Sequence, residues 1–234
     1  MRVLVTRPTE DANTTAARLA RMGHSPLVSP LLEIKFREGP ELSFAEVQAI
    51  VATSANGVRA LVRRTGRRDL PVFAVGAQTA ATARDAGFMD VKNADGNSIV
   101  LADAIAKWAK PENGILFHAA GNETEGNLSG RLREHGFQFR REVLYDVEPV
   151  QSLSHDAAEA VRDGKLDAVL LYSPRSAENF ARCVQHAGLA EMCRALIAVC
   201  ISEAAAKKIE AMPLREIRVA VRPSEDAMLE ALQR

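Results

Sequence analysis

Short apolar runs alternate along the chain with longer stretches in which apolar residues recur every three or four positions. The runs are typical of buried strands, and the longer stretches of amphipathic helices. The runs predict strands at residues 3–5, 49–53, 72–75, 115–118, 168–172, 196–199 and 217–221. Strands that alternate with helices form parallel sheets with helices on both faces, so the pattern predicts an α/β fold.

Helical periodicity fills most of the segments between these strands. It predicts helices at residues 10–22, 55–64, 78–86, 98–109, 123–135, 156–162, 175–187, 202–211 and 224–232. Two further segments, 27–36 and 137–150, are extended instead. They occupy corresponding places in the two halves of the chain, which makes them candidates for connections between domains.

Residues 72–87, VFAVGAQTAATARDAG, combine a strand, a tight turn at Gly76 and an Ala-rich helix that begins near Thr79. A strand that leads through a Gly turn into a helix leaves free backbone N–H groups at the helix start, and these suit an anionic ligand. Such βα units are also common without any ligand, so the stretch alone leaves both interpretations open.

Three pieces of the first half match three pieces of the second in the same fold context. Residues 17–26 match 130–139, residues 50–61 match 170–181, and residues 72–83 match 196–208. The matches predict two copies of one α/β unit, although βα units of similar composition also resemble each other by chance.

The extended segments predict a chain that crosses between two domains twice. The first domain is discontinuous, residues 1–32 and 151–234, and the second covers 37–141; residues 33–36 and 142–150 are linking strands that pair as a two-stranded ladder. Ligands of such folds bind at the carboxyl ends of the strands, and two facing domains would enclose a cleft there.

Composition narrows the function classes. Thirty basic residues balance thirty acidic ones, so no net field favours nucleic acid or a membrane surface. Three cysteines without a C-x-x-C pair argue against a disulfide framework or a zinc site. We expect no signal peptide and no membrane span, and therefore a cytoplasmic protein. The five histidines lack metal-ligand spacing, and for His118, at the end of a predicted strand, a structural role is the preferred interpretation.

Six segments resemble the uroporphyrinogen-III synthase family, and they occur in the family's order over nearly the whole chain. They are VLVTRP at the start, ATSANGV (52–58), VGAQTA (75–80), GNSIVLADAI (96–105), VLYDVEP (143–149) and YSPRSAENF (172–180). The resemblance implies two flavodoxin-like parallel-sheet domains joined by a two-stranded ladder. It implies a lyase of haem biosynthesis that closes hydroxymethylbilane into uroporphyrinogen III, inverting ring D through a spiro intermediate. It implies no metal or cofactor, and we expect a monomer whose partner is its small-molecule substrate.

The resemblance also assigns roles to residues. Tyr145 matches the family's tyrosine near the departing hydroxyl, where a phenol can donate a proton or hydrogen bond; the alternative is an aromatic residue that fills the hinge. Thr53 and Ser54 match a Thr-Ser pair that binds substrate carboxylates, and N-capping of the following helix is a compatible alternative. Thr79 matches a threonine that both caps its helix and touches substrate.

Further substrate-binding residues follow from the same resemblance. Asn97 and Ser98 open the next helix, with capping as the alternative. Ser173 and Ser176 occupy the second copy's equivalent of the Thr-Ser site, with Arg175 beside them for a carboxylate.

One turn departs from the family pattern. A second Gly-Pro-Thr-Thr-Ala-like turn is expected in the carboxyl-terminal half, and residues 200–204 instead read CISEA. Ser202 can still cap a helix and bind a carboxylate, and Arg7 is a candidate for the missing positive charge, with a solvated arginine as the alternative. The altered turn keeps open a second function, a non-catalytic two-domain protein that closes on a small anion.

Overall fold

The computed structural model describes residues 1–123 and 126–234. In these ranges the strands are β1 (Arg2–Val5), β2 (Ser25–Val28), β3 (Leu32–Phe36), β4 (Val47–Ala52), β5 (Val72–Val75), β6 (Val91–Ala94), β7 (Ile115–Gly121), β8 (Phe139–Pro149), β9 (Ala168–Leu171), β10 (Ile197–Cys200) and β11 (Glu216–Val219). The α-helices are α1 (Thr9–Arg21), α2 (Ala55–Val62), α3 (Ala77–Asp85), α4 (Ser98–Trp108), α5 (Leu128–Glu134), α6 (His155–Arg162), α7 (Pro174–His186), α8 (Glu203–Ala206) and α9 (Glu225–Leu232).

The predicted α/β alternation is confirmed, with three local corrections. Strand β6 was not predicted, because Lys92 and Asn93 interrupt the apolar pattern of this edge strand. The helix predicted from residue 123 begins only at Leu128; residues 124–125 lie outside the described residues, and Gly126 has a φ of 66°, which a helix does not admit. The helix predicted over 202–211 is one α-turn, after which the amide of Ile209 donates to the carbonyl three residues earlier.

No described helix is both long enough and apolar enough to span a bilayer. The longest, α1 and α7, have 13 residues each, whereas a span needs about 20 apolar residues.

The chain divides into two compact units. The first unit comprises residues 1–33 and 148–234, and the second comprises residues 34–147. The chain therefore passes from one unit to the other twice, within β3 and within β8. Leu31 accepts a hydrogen bond from the amide of Val150, and Leu144 accepts one from the amide of Arg37, so the two crossing segments run in opposite directions.

In the first unit, five parallel strands lie in the order β2-β1-β9-β10-β11. Alternate residues of each strand face opposite sides: Leu4 packs on the side of α6, α7 and α8, whereas Val3 and Val5 pack against α1 and α9. The three cysteines are buried free thiols on the first of these sides. Both faces of the sheet are thus covered, as the continuous apolar runs of its strands require.

In the second unit, the sheet order is β3-β8-β7-β4-β5-β6, with β8, β7, β4, β5 and β6 parallel. Ile50 and Ala52 of β4 face α2 and α3, whereas Ala49 and Val51 face α4 and α5. The crossing strand β3 lies at the edge next to β8. The order β8-β7-β4-β5-β6 repeats that of the first unit when β7 is taken as the counterpart of β1 and β4 as that of β9.

The repeat matches connect these equivalent elements, with one correction in register. The sequence match places Thr53 opposite Ser173, but Ser54 and Ser173 are the residues that cap the helices after β4 and β9. Ser54 is therefore the counterpart of Ser173, and Thr53 is the counterpart of Tyr172.

Helix α2 approaches β7 so closely that Gly57 has no room for a side chain. A Cβ there would lie 2.5 Å from the carbonyl oxygen of Ala119, and this neighbour is backbone that cannot rotate away. We expect Gly57→Ala to destabilise the protein by about 1–3 kcal/mol through overpacking, although alanine is the better helix former by about 1 kcal/mol.

The matched control is Gly66→Ala, since nothing lies within 4 Å of a Cβ at Gly66. Urea unfolding measures the free energy of unfolding of both variants. A Gly57→Ala protein as stable as the wild type would contradict the close approach of α2 to β7.

Candidate functional site

The carboxyl ends of β4 and β7 lie side by side at the point where the connections of the second unit change direction. From β4 the chain continues through α2 to β5 on one side, and from β7 it continues through α5 to β8 on the other. Open α/β sheets bind ligands at such a point. Thr53 follows β4, and Gly121 ends β7.

Ser54 and Tyr145 form a hydrogen-bonded pair at this edge. The Oγ of Ser54 lies 2.7 Å from the hydroxyl oxygen of Tyr145. The same Oγ accepts a hydrogen bond of 3.1 Å from the amide of Gly57, so Ser54 caps α2 as predicted. The start of α2 thereby fixes the position of the phenol.

Tyr145 is held on its other side by Gly121. A Cβ at Gly121 would lie 2.8 Å from Cζ of the Tyr145 ring. The two residues are partners in the β7–β8 ladder, just after a register shift between Ala120 and Gly121. The glycine therefore leaves the space that the phenol ring occupies.

Thr53 and His118 form a second pair. The Oγ1 of Thr53 lies 3.2 Å from Nε2 of His118. His118 is 8% exposed, and its ring lies 5.6 Å from the ring of Phe139. Burial, with a smaller contribution from the charge of Arg141, lowers the pKa of His118 to about 4, so the imidazole is neutral near pH 7.

Arg141 on β8 completes the group. Its Nη2 donates to the carbonyl oxygens of Gly121, at 2.5 Å, and Glu123, at 3.0 Å. Among the described residues, its buried Nε has no hydrogen-bond partner and no carboxylate pairs with the guanidinium. A guanidinium bound only to carbonyl oxygens keeps its positive charge available to an anion.

Both pairs and Arg141 line one cavity of about 90 Å³. Its lining comprises Thr53, Ser54, His118, Gly121, Glu123, Gly126, Leu128, Ser129, Phe139, Arg141, Tyr145 and Val147. Three predicted site residues, Thr53, Ser54 and Tyr145, therefore meet in one place. Their hydroxyl groups and the arginine can hold an anionic ligand that has a group able to accept a proton.

Thr53 also lines an adjacent cavity of about 330 Å³ together with Asn97 and Ser98. Oδ1 of Asn97 accepts hydrogen bonds from the amides of Ile99 and Val100, so the expected capping of α4 is confirmed. The structure thus brings Asn97 and Ser98 to the edge of the sheet where Thr53 lies.

Thr79 does not cap α3, and this part of the prediction is wrong. The helix begins at Ala77, and Gly76, with a φ of 80°, precedes it without any side-chain cap. Thr79 is 4% exposed inside the helix, and the linings of the two described cavities do not include it. The helix therefore starts at the Gly turn itself, without help from the threonine.

In the first unit, the predicted serines are helix caps. Ser173 and Ser176 form a capping box, in which the Ser176 amide donates to Ser173 Oγ at 3.1 Å and the Ser173 amide donates to Ser176 Oγ at 2.9 Å. Ser202 caps α8 by accepting from the amide of Ala205. Cys200, which stands where the family pattern has glycine, does not have a positive φ, so this turn needs no glycine.

The Arg7 side chain is largely buried, and carboxylates pair with its positive charge. Its guanidinium lies 3.2 Å from Asp11 and 3.7 Å from Glu225, and it stacks over the ring of Tyr172 at 4.6 Å. The alternative of a solvated arginine is therefore wrong. The role of every predicted site residue stays a prediction: catalysis for Tyr145, and substrate binding for Arg7, Thr53, Ser54, Thr79, Asn97, Ser98, Ser173, Ser176 and Ser202.

The comparison with protein families agrees with the motifs and with the geometry. A family model described as uroporphyrinogen-III synthase HemD matches residues 13–230. The chain belongs to the uroporphyrinogen-III synthase family.

Individual relatives have low sequence identity to this chain. The chain is 24% identical over 248 residues to a porphyrin biosynthesis protein HemD of Ruminiclostridium josui, and the match covers 99% of this chain. The chain spans about half, 48%, of that curated relative's length.

Solved structures share the fold. The uroporphyrinogen-III synthetase of Helicobacter pylori is similar with a TM-score of 0.66 at 19% identity, covering 100% of this chain and 99% of that one. A mutant uroporphyrinogen III synthase of the extremely thermophilic bacterium Thermus thermophilus gives a TM-score of 0.53 at 17% identity, covering 100% and 97%. The two-domain α/β architecture expected for the family is thus confirmed.

Sequence reasoning missed two members of the site. Arg141 was not singled out, and for His118 a structural role was preferred, because no partner was visible in the sequence. The partner of His118, Thr53, is 65 residues away. The available signal was the position of His118 in a predicted strand whose other residues are apolar.

The lowered pKa of His118 predicts how stability depends on pH. The unfolded chain binds a proton at this histidine near pH 6.5, whereas the folded protein does so only near pH 4. The contribution of His118 to the free energy of unfolding is therefore complete above about pH 6.5. It decreases by about 2–3 kcal/mol as the pH drops toward 4.

His118→Leu should remove that part of the loss between about pH 7.5 and about pH 4.5 in urea unfolding. His155→Leu is the control, because the His155 side chain is 83% exposed, and this variant should keep the wild-type pH dependence. Equal pH dependence in wild type and His118→Leu would show that the histidine titrates normally in the folded state.

Proposed function

We propose that the protein cyclises hydroxymethylbilane to uroporphyrinogen III with inversion of ring D, as a hydro-lyase of tetrapyrrole biosynthesis. The observation that supports this most directly is the placement of Tyr145. In a chain of this family, the tyrosine expected near the departing hydroxyl lines a cavity and is hydrogen-bonded to the cap of α2.

The proposed reaction loses one molecule of water. Protonation of the terminal hydroxyl lets it leave, which produces an azafulvene cation on ring A. The substituted carbon of ring D attacks this cation and forms the spiro intermediate. That intermediate fragments, ring D turns over, and closure at its other position followed by loss of a proton gives the inverted macrocycle. A donor at the leaving hydroxyl therefore assists the first step.

The hydrogen bonds around Ser54 favour Tyr145 as that donor. The Oγ of Ser54 already accepts the amide hydrogen of Gly57, and its own hydrogen can point to the Tyr145 oxygen 2.7 Å away. In this arrangement the phenol hydrogen is not used on Ser54. The helix cap then positions the phenol and donates to its oxygen.

The remaining lining suits a polycarboxylate. Arg141 supplies a positive charge that forms no ion pair with a described carboxylate, and the hydroxyl group of Thr53 adds a neutral contact. Uncatalysed closure gives the non-inverted product, so binding must favour the geometry that leads to the spiro intermediate. We infer that these residues hold side-chain carboxylates near the reacting end of the substrate.

A coupled assay tests the proposal. Hydroxymethylbilane is generated in place, and the type I and type III uroporphyrinogens are separated by chromatography after oxidation. Type III product that depends on the added protein is the expected result. Only type I, the product of spontaneous closure, would mean that the chain does not catalyse the reaction and would favour the non-catalytic binding protein.

Tyr145→Phe should lower the rate of type III formation by about 100-fold, the low end for removal of a general acid. It should lower stability by about 1 kcal/mol for the lost hydrogen bond to Ser54, because the ring is kept. Tyr172→Phe is the matched control: Tyr172 belongs to the other unit and lines neither of the two cavities described above, so this variant should keep the wild-type rate. An unchanged rate in Tyr145→Phe would remove the phenol from the mechanism.

A further inference from the structure

We propose that His118 is a positioning residue: its Nε2–H donates to Thr53 and so makes the Thr53 hydroxyl a hydrogen-bond donor to a carboxylate of the ligand. The inference rests on the proposed function for the identity of the ligand. The direction of the hydrogen bond is independent of that function and can be measured separately.

The surroundings of His118 leave its ring neutral. Arg141 on β8 is the charged group that acts on it, and Thr53 after β4 and Phe139 on β8 are its uncharged neighbours. No carboxylate within the described residues pairs with His118. A positive charge on the buried imidazole would therefore face a guanidinium without compensation.

A neutral imidazole carries its hydrogen on one nitrogen only. Nε2 faces the Thr53 oxygen at 3.2 Å, whereas Nδ1 is buried and has no partner among the described residues. A hydrogen on Nδ1 would leave a buried donor unmatched, while a hydrogen on Nε2 leaves only an acceptor unmatched. Unmatched buried donors are the rarer case in proteins. The geometry therefore favours the Nε2–H tautomer.

This tautomer determines what Thr53 offers to a ligand. If the Thr53 oxygen accepts from Nε2, its own hydrogen is free to point into one of the two cavities that Thr53 lines. The opposite tautomer would use that hydrogen on the histidine and present only lone pairs, which repel a carboxylate. The Thr53 hydroxyl can either donate or accept a hydrogen bond. Because His118 donates to its oxygen, the hydroxyl hydrogen is left to donate to the ligand.

The equivalent position in the first unit lacks this device. His118 pairs with Val51 in the β4–β7 ladder, and the counterpart of that pair is Leu170 with Val5. Val5 is a fully buried core residue. His118 is a buried imidazole with only one of its two nitrogens hydrogen-bonded, at a position where the first unit has valine. A buried polar group without all its partners departs from ordinary core packing, and such departures concentrate at functional sites.

The first experiment measures the tautomer directly. Nitrogen-15 and proton correlation spectra of the wild-type protein, labelled at histidine, distinguish Nε2–H from Nδ1–H and need no substrate. His118→Gln assigns the signal. The Nε2–H form between about pH 6 and about pH 8 is expected from the lowered pKa. The Nδ1–H form would overturn the inference.

The second experiment measures KM and kcat for type III formation. Thr53→Val and His118→Leu should each raise KM by about tenfold, the effect of one lost hydrogen bond to a charged group, with a smaller change in kcat. His118→Gln, whose amide N–H can replace Nε2–H, should recover most of the affinity. The double variant should be no worse than Thr53→Val, because the histidine acts through the threonine.

The outcomes separate the two proposals. A wild-type protein that yields only type I product contradicts the proposed function, and the spectra then decide the hydrogen-bond direction alone. The positioning role is contradicted if the wild type yields type III product but His118→Leu has the wild-type KM. It is also contradicted if the effects of Thr53→Val and His118→Leu on KM are additive in the double variant. Thermal unfolding of each variant shows whether a change in KM accompanies a loss of folded protein.

Discussion

The site of the second unit depends on the absence of side chains at two glycines. Gly121 leaves room for the Tyr145 ring, and Gly57 lets α2 approach the backbone of β7. Because α2 sits so close, its cap Ser54 reaches the phenol oxygen at 2.7 Å. A larger residue at either glycine would displace one partner of this hydrogen bond. The hydrogen bond between the two hydroxyl groups therefore depends on close packing of the backbone.

The two units show how one topology gives two different environments at the same place. In the second unit, the ends of β4 and β7 surround a cavity whose lining includes Thr53. In the first unit, the counterpart of Thr53 is Tyr172, and its ring is covered by Arg7, which is paired with Asp11 and Glu225. Burial raises the pKa of the Tyr172 hydroxyl to about 12, so this phenol stays protonated. The same sheet edge is therefore open in one copy and filled by side chains in the other.

Local signals in the sequence predicted what local physics determines. The strand and helix alternation and the caps Ser54, Asn97 and Ser202 follow from residue types and short spacings, and the structure confirms them. The failures at His118 and Arg7 have a common cause, because both side chains contact residues that are distant in the chain. Thr53 and His118 are 65 positions apart, and Arg7 meets Glu225 from the other end of the chain. No local pattern encodes such pairs, since their register is set by how the strands assemble.

The charges at the cavity also constrain the chemistry that it can support. The proposed reaction develops a positive azafulvene on a substrate that carries many carboxylates. Fixed cations would hold the carboxylates but oppose the developing charge, because electrostatic interactions strengthen in a partly buried site. The lining instead combines Arg141 with Glu123, a neutral imidazole and four hydroxyl-bearing residues, Thr53, Ser54, Ser129 and Tyr145. Neutral donors bind anions without adding charge, so in the proposed reaction the burial that keeps His118 neutral would serve both binding and catalysis.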